Sequence, residues 1–428
     1  MKLALILTAL VVVLLAGLPV FAALGLFAGG LLYGVEGKLV NVGELIFGKL
    51  NTYLLVAIPL FTLMANFMVR GKVVDDLYGA AHALTRHLPG GLGIATVMAC
   101  TVFAAISGSS VATAITVGAA AIPQMIRHGY NPKVAYGVVG GGGTLGILIP
   151  PSGPMVLYGI VSDTSIGALF IAGVVPGLML AAIFAVWCMA DARFGRYRPP
   201  TLPRATWREM GAAVRKSFWS LALPVVVLGG MYLGVFTVTE AAAVGALAAL
   251  LVAAVVYRNL SLRDIWDSAL DAARTSSMLF LILAAAALLG HVMTKLRIPA
   301  EMVELVTHHG LTQFQFLLAV MTAIFVLGMF LETISIILIT TPVVLPVLVA
   351  LKIDPVWYGV LLTINLELAL ITPPVGMNLY TIKAIARAPM MEVIQGIMPY
   401  VWLLILGLAL VLAFPDIALW LPATMKYG

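Results

Sequence analysis

The sequence predicts an all-α polytopic membrane protein: an inverted repeat with two re-entrant hairpins and two broken helices. Three observations lead to that fold class. First, the 428 residues are 62% hydrophobic and 10% charged, with a mean hydropathy of +1.10, whereas a soluble protein carries about 25% charged residues. Second, residues 137–160, GVVGGGGTLGILIPPSGPMVLYGI, set Pro150, Pro151, Ser152, Gly153 and Pro154 inside apolar sequence. A helix cannot run through them without losing backbone hydrogen bonds. Lipid has no water to replace these bonds, so the break must be buried in protein or line a hydrated cavity. Third, residues 365–381, NLELALITPPVGMNLYT, repeat the device at a fixed offset (373 − 150 = 223). The same offset relates Pro123 to Pro346, Pro132 to Pro355, Gly153 to Gly376, Gly173 to Gly396 and Pro176 to Pro399. Interrupted helices in corresponding places of two halves point to a binding site at the bilayer midplane.

The elements follow in order. Residues 2–34 form one long helix kinked at Gly17 and Pro19, or two short ones. The apolar run persists to Tyr33, which favours a retained membrane helix over a cleaved signal peptide. Residues 36–50 mix charge with apolar side chains and suit the membrane interface. Residues 52–69 span, and 71–90 form an interfacial arm ending at Pro89-Gly90-Gly91. Residues 92–126 are too long for one span of about 20 residues. Their small, polar centre at Ser107, Gly108, Ser109 and Ser110 fits the tip of a hairpin. The broken helix 132–163 and a span at 166–190 complete the first half. A polar connection at 191–218 carries seven basic residues. A helical pair at 219–237 and 239–257, a second basic loop at 258–274 and a span at 276–294 come next. Residues 312–350 repeat the hairpin with a tip at Glu332, Thr333 and Ser335, and the broken helix 355–386 and a span at 392–413 close the second half.

With inverted halves, 18 of the 24 basic residues fall on one side, among them Lys2, Arg70, Lys72, Arg86, the seven at 193–216, Lys383 and Arg387. Lys38, Lys49, Lys295, Arg297, Lys352 and Lys426 face the other. The positive-inside bias then puts the N-terminus in the cytoplasm and opens the two hairpins to opposite sides. The net charge of +6 thus reports orientation rather than nucleic-acid binding. Cys100 and Cys188 lie in apolar helices as small hydrophobes, and the six histidines form no spaced metal motif. An enzyme is not expected: HExxH is absent, no pair of membrane aspartates exists, and Ser109 with His291 lacks a nucleophile–base motif.

The first tip and the Gly143–Ser152 stretch offer hydroxyls and freed carbonyls, hard oxygen ligands that suit a small cation such as Na⁺. The competing reading is a small-residue cluster that only permits close helix packing. The second tip adds Glu332, an acid at bilayer depth. It could ligate a cation, titrate, or pair within its hairpin, and it faces Thr372 to Asn378. Glu367 and Asn365 precede the second break, where Glu367 could hold that loop's amides rather than touch a solute. His291 reads as a packing residue, Asp163 and Thr164 as helix-end residues, and Glu240 after Thr237 as ordinary helix-start charge.

The stretches GGTLGILIPPSGPMVLYGIVSDTSIGALFIAGVVPGLM and NLELALITPPVGMNLY, with ISGSSVATA at the first tip, closely resemble the signatures of the large membrane subunit of TRAP transporters. These are tripartite ATP-independent periplasmic transporters, DctM-like members of the ion transporter superfamily, and the resemblance covers nearly the whole chain. It implies an elevator-type secondary transporter of the bacterial or archaeal inner membrane. Na⁺ would drive uptake of a carboxylate: a C4-dicarboxylate, a sialic or sugar acid, or a keto acid. A periplasmic solute-binding protein would deliver the solute. A small four-helix membrane subunit would be a separate chain, because no such segment is fused at the N-terminus. Carried over by position, the Na⁺ regions would be Ser107, Gly108, Ser110, Gly143, Thr144 and Pro150, and then Glu332, Ser335, Thr372 and Gly376. The solute would lie near Ser109, Ser152, Thr333 and Asn378, and no arginine can be assigned to its carboxylate. Residues 1–91 would be scaffold helices and interfacial arm, 92–190 and 312–413 the transport domain, 191–311 a basic loop and scaffold helices, and 414–428 a C-terminal tail. The alternative is a stand-alone Na⁺- or H⁺-coupled organic anion transporter of the same superfamily.

Overall fold

A computed structural model describes residues 2–195 and 199–425; Arg196, Arg198 and Lys426 of the charge balance lie outside the described residues. The described chain is helical, without a strand. It opens with α1 (Lys2–Leu15), α2 (Val20–Glu36), α3 (Val42–Leu50), α4 (Ala57–Arg70) and α5 (Val73–Thr85). Gly17 at φ +81° and Pro19 separate α1 from α2, so the first apolar run is two helices. Then come α6 (Gly91–Ser107), α7 (Ser110–Arg127), α8 (Pro132–Leu148), α9 (Gly153–Ser162) and α10 (Ile166–Phe194). The middle of the chain forms α11 (Trp207–Lys216), α12 (Phe218–Tyr232), α13 (Val238–Leu251), α14 (Leu262–Lys295) and α15 (Ile298–His308). The last third forms α16 (Gln313–Gly328), α17 (Thr333–Ala350), α18 (Pro355–Leu370), α19 (Met377–Ala386), α20 (Met390–Ala413) and α21 (Asp416–Ala423). Among the described residues, seven helices are long and apolar enough to cross a membrane, or up to eight if α11 and α12, bent by 57°, count as one span.

The internal spacing of 223 recurs in the helices themselves. α7 and α17 occupy the same window at that offset, from 110 to 127 and from 333 to 350. α8, α9 and α10 begin within one residue of the positions that match α18, α19 and α20. The local cause is shared chemistry. Proline opens both α8 and α18 at the position where its missing N–H is harmless. The residue before it caps the helix: Lys133 N donates to Asn131 Oδ1 at 3.0 Å, and Val356 N to Asp354 Oδ1 at 2.7 Å.

Three segments read as loop or tail contain helix. The basic stretch 258–274 is mostly the start of α14, where Ser261 and Asp264 form a capping box. Asp264, Asp267 and Asp271 present one acidic stripe to Arg70 of α4, at 3.9, 3.7 and 2.7 Å. The connection 191–218 contains α11, capped by Thr206 and Glu209. The C-terminal segment contains α21, which packs on α10.

α20 orders the two broken helices. Lys133 Nζ donates to Gln395 Oε1 at 2.6 Å, so α8 begins beside the start of α20. Trp357 Nε1 donates to the Val411 carbonyl at 3.0 Å, so α18 begins beside its end. α8 passes α20 so closely that a Cβ on Gly137 would run into the Gly396 carbonyl, and one on Gly396 into the Lys133 carbonyl. Small residues are what let backbones approach this way in membranes. Gly396→Leu is therefore expected to cost more than about 3 kcal/mol through overpacking. Gly29→Ala in α2, where a new Cβ meets nothing within 4 Å, is expected to be neutral or to stabilise by up to about 1 kcal/mol. Thermal unfolding of the detergent-solubilised protein checks both.

Candidate functional site

The first tip forms where one helix ends and the next begins. α6 ends at Ser107, Gly108 adopts φ +60°, and Ser109 Oγ accepts the Ala112 amide at 3.3 Å to cap α7. Gly108 has no substitute here, because a Cβ would strike the Pro151 carbonyl; Gly146 is held in the same way against the Ser109 carbonyl. The tip therefore rests directly on the first break. Ser110 Oγ donates to the Gly143 carbonyl at 3.0 Å and accepts from Asn378 Nδ2 at 2.7 Å. Ser107 Oγ pairs with Thr113 Oγ1 at 2.9 Å, and Thr144 Oγ1 donates to the Gly141 carbonyl at 2.6 Å. Ser107, Gly108, Ser110, Gly143, Thr144 and the loop at Pro150 thus share one locality, most of it buried.

The second tip is built differently. Glu332 occupies the cap position of α17, but its side chain caps nothing; it accepts the Ser335 hydroxyl at 3.4 Å. Thr372 Oγ1 donates back to the Leu368 carbonyl of the preceding helix α18 at 2.6 Å, and Gly376, at φ +47°, turns the chain into α19. Among the described residues, no hydrogen bond joins Glu332, Thr333 or Ser335 to Thr372 or Gly376. The second break is also open, with Val375 39% exposed, whereas Ser152 in the first is 1% exposed.

A cavity of about 350 Å³ lies between the tips and the helices α4 and α14. Ser110, Gly153, Thr333 and Met377 all line it, and these are the first residues of α7, α9, α17 and α19. Four helix N-termini, each with partial positive charge, therefore face one space. Thr62 and Asn66 of α4 and Thr275 of α14 supply polar groups on the opposite wall. Glu332 is the single charged side chain among the described lining residues.

Of the residues expected near a solute, Ser109 and Thr333 line this cavity and Ser152 and Asn378 do not. Ser152 Oγ is turned to accept the Met155 amide at 3.4 Å, capping α9. Asn378 is fully buried on the face of α19 that packs against α7. Glu367 does not serve its own loop: its Oε1 accepts the Ile147 amide at 3.1 Å, just before the first break. Sequence spacing locates the turn but does not tell which face of the following helix each residue takes. His291 pairs with Glu36 at 3.3 Å, as a structural residue. Glu240 forms a capping box with Thr237.

The family model described as "Tripartite ATP-independent periplasmic transporter, DctM component" matches residues 7–417. The chain belongs to the TRAP transporter large-subunit family. The C4-dicarboxylate TRAP transporter large permease protein DctM of Pseudomonas aeruginosa is 44% identical over 86% of this chain and 86% of its own. The protein of the same description from Rhodobacter capsulatus is 38% identical over 96% of this chain and 97% of its own. Among solved structures, the Alcanivorax borkumensis YdaH transporter superposes with a TM-score of 0.65 over 87% of this chain and 86% of its own, at 12% identity, a likeness of fold. As a TRAP large subunit the chain is a multi-pass membrane permease. The break is where its helices part, so Pro151→Leu, which restores an amide and removes the ring constraint, is expected to abolish transport with membrane insertion retained. Uptake in cells normalised to membrane protein level checks this.

Proposed function

We propose that this TRAP subunit imports a carboxylate solute together with Na⁺. A periplasmic binding protein delivers the solute, and a separate small four-helix subunit accompanies the chain in the cell membrane. The observation that carries this reading is the cavity ringed by four helix N-termini and lined by one carboxylate, with no basic side chain among its described residues. Amide ends of helices hold anions without a lysine or arginine. α17 and α19 suit this role best, because no side chain caps them, while Ser109 and Ser152 already occupy amides of α7 and α9. The solute carboxylate then lies near Thr333, with Ser109 across the cavity. An anion brought beside Glu332 away from bulk water meets charge repulsion, which a co-entering cation offsets. The cation ligands follow as Ser107, Gly108, Ser110, Gly143, Thr144 and Pro150 at the first tip, and Glu332, Ser335, Thr372 and Gly376 at the second. The naming of the P. aeruginosa relative makes C4-dicarboxylates the first solutes to test.

The same reading includes an inverted repeat and an elevator movement. The opposite placement of α8 and α18 along α20 supports the inversion. The position of the cavity, between residues 92–190 and 312–413 on one side and α4 and α14 on the other, supports a transport domain moving against a scaffold. The bias of basic residues in the loops of the sequence supports a cytoplasmic N-terminus.

Proteoliposomes containing the chain and its small partner test the proposal. Labelled C4-dicarboxylates are offered with and without the binding protein, and with or without an inward Na⁺ gradient. Uptake is expected to need both. Ser110→Ala and Thr333→Ala are expected to lower Na⁺-driven uptake about tenfold, the scale of one lost buried hydrogen bond, at unchanged protein incorporation. Uptake without the binding protein identifies a stand-alone carrier. Uptake driven by H⁺ and indifferent to Na⁺ contradicts the cation assignment.

A further inference from the structure

Glu367 is fully buried in the last turn of α18, in the second repeat, yet no lysine, arginine or histidine pairs with it. Burying a carboxyl group is costly unless it is hydrogen-bonded. Its Oε1 accepts the Ile147 amide at 3.1 Å, across to the first repeat, and its Oε2 has no hydrogen-bond partner. In an α-helix the amide of residue 147 belongs to the carbonyl of residue 143. An amide shared with a carboxylate binds its own helical carbonyl less, and that carbonyl, Gly143, is the one that takes the Ser110 hydroxyl. A second strut runs in the same direction: Asn378 of α19 donates to Ser110. Among the described residues, the counterparts of these two struts at the 223 offset are missing. The offset of 223 carries Glu367 back to Thr144 and Asn378 back to Met155. Thr144 donates to the Gly141 carbonyl of its own helix and otherwise interacts with Glu367 itself, and Met155 has no polar group able to donate.

We infer that Glu367 is a positioning residue through which the second repeat holds the cation half-site of the first in shape. This rests on the reading of Ser110 and Gly143 as part of that half-site. Glu367 acts through the Ile147 peptide and lies off the solute cavity. Its job depends on reach and on an acceptor oxygen, not on negative charge. The two half-sites are thereby linked: displacing α18 withdraws the partner of Ile147, returns that amide to the Gly143 carbonyl and leaves the carbonyl less free for a cation.

Two variants separate reach from charge. Glu367→Gln keeps the length and one acceptor oxygen but loses the charge. Glu367→Asp keeps the charge but is one methylene too short for the contact. Two readouts are made on the purified full chain with its small subunit: hydrogen–deuterium exchange of the peptide carrying Ile147, and the Na⁺ concentration that gives half-maximal thermal stabilisation. Glu367→Gln is expected within about twofold of wild type in both. Glu367→Asp is expected to exchange about tenfold faster and to need about tenfold more Na⁺. The reverse order, an equal effect in both variants, or no effect in either overturns the inference. Because Gln is isosteric with Glu, a tenfold higher Na⁺ midpoint in Glu367→Gln alone also overturns it, whether or not the Asp variant folds. Wild-type protein that Na⁺ does not stabilise sinks the cation reading instead, and the exchange comparison then decides the strut by itself.

Discussion

A helix interrupted inside a membrane must find partners for the amides and carbonyls that the interruption sets free, with no water to supply them. In the first repeat protein groups take several of them. Ser109 and Ser152 cap the helices that restart, Ser110 takes the Gly143 carbonyl, and Glu367 takes the Ile147 amide. The glycines at 108 and 146 follow from this, because tip and break have to touch for such short side chains to reach. The run of four glycines at 140–143 lets α8 approach its neighbours: side chains there would collide with Ile397, Tyr400, Cys100 and Ala114.

The second repeat meets the same constraint with fewer internal partners. Among the described residues, its tip and break are not hydrogen-bonded to each other, and the helices that restart there lack side-chain caps. Similar sequence thus sits in unlike surroundings: the first tip is bonded to its break and the second is not, although both tips line the cavity. The boundary with the flanking helices is sparse in polar contacts. Lys49 Nζ of α3 donates to the Ile160 carbonyl of α9 at 3.2 Å, one of the carbonyls that a helix end leaves without an internal partner. Phe61 of α4 meets Phe170 of α10 edge to face, with centroids 6.0 Å apart. In the proposed movement these are contacts that break and re-form.

Much of this was legible in the sequence, because proline and glycine act locally. The kink at Gly17 and Pro19, both hairpins, both breaks and the offset between them lie where the residues put them. The helix of α11 was readable too, since Thr206 and Glu209 spell a capping box, but the basic residues around it resemble a loop. The start of α14 was not readable. Its three aspartates become a helix face only when Arg70, about 200 residues earlier in the chain, stands opposite. Asn378 and Glu367 escaped for a related reason. The sequence places both beside the second break, but the direction of each side chain is set by which neighbouring helix packs there, and a single chain of letters does not carry that.

The claim that one body carrying both tips moves against α4 and α14 is tested most directly by a distance. Spin labels at Leu262 on α14 and Met391 on α20, which are 86% and 62% exposed, report that distance in lipid without touching the site. The account expects two distance populations whose ratio shifts when Na⁺ and solute are added. A single population, unchanged by either, would contradict it.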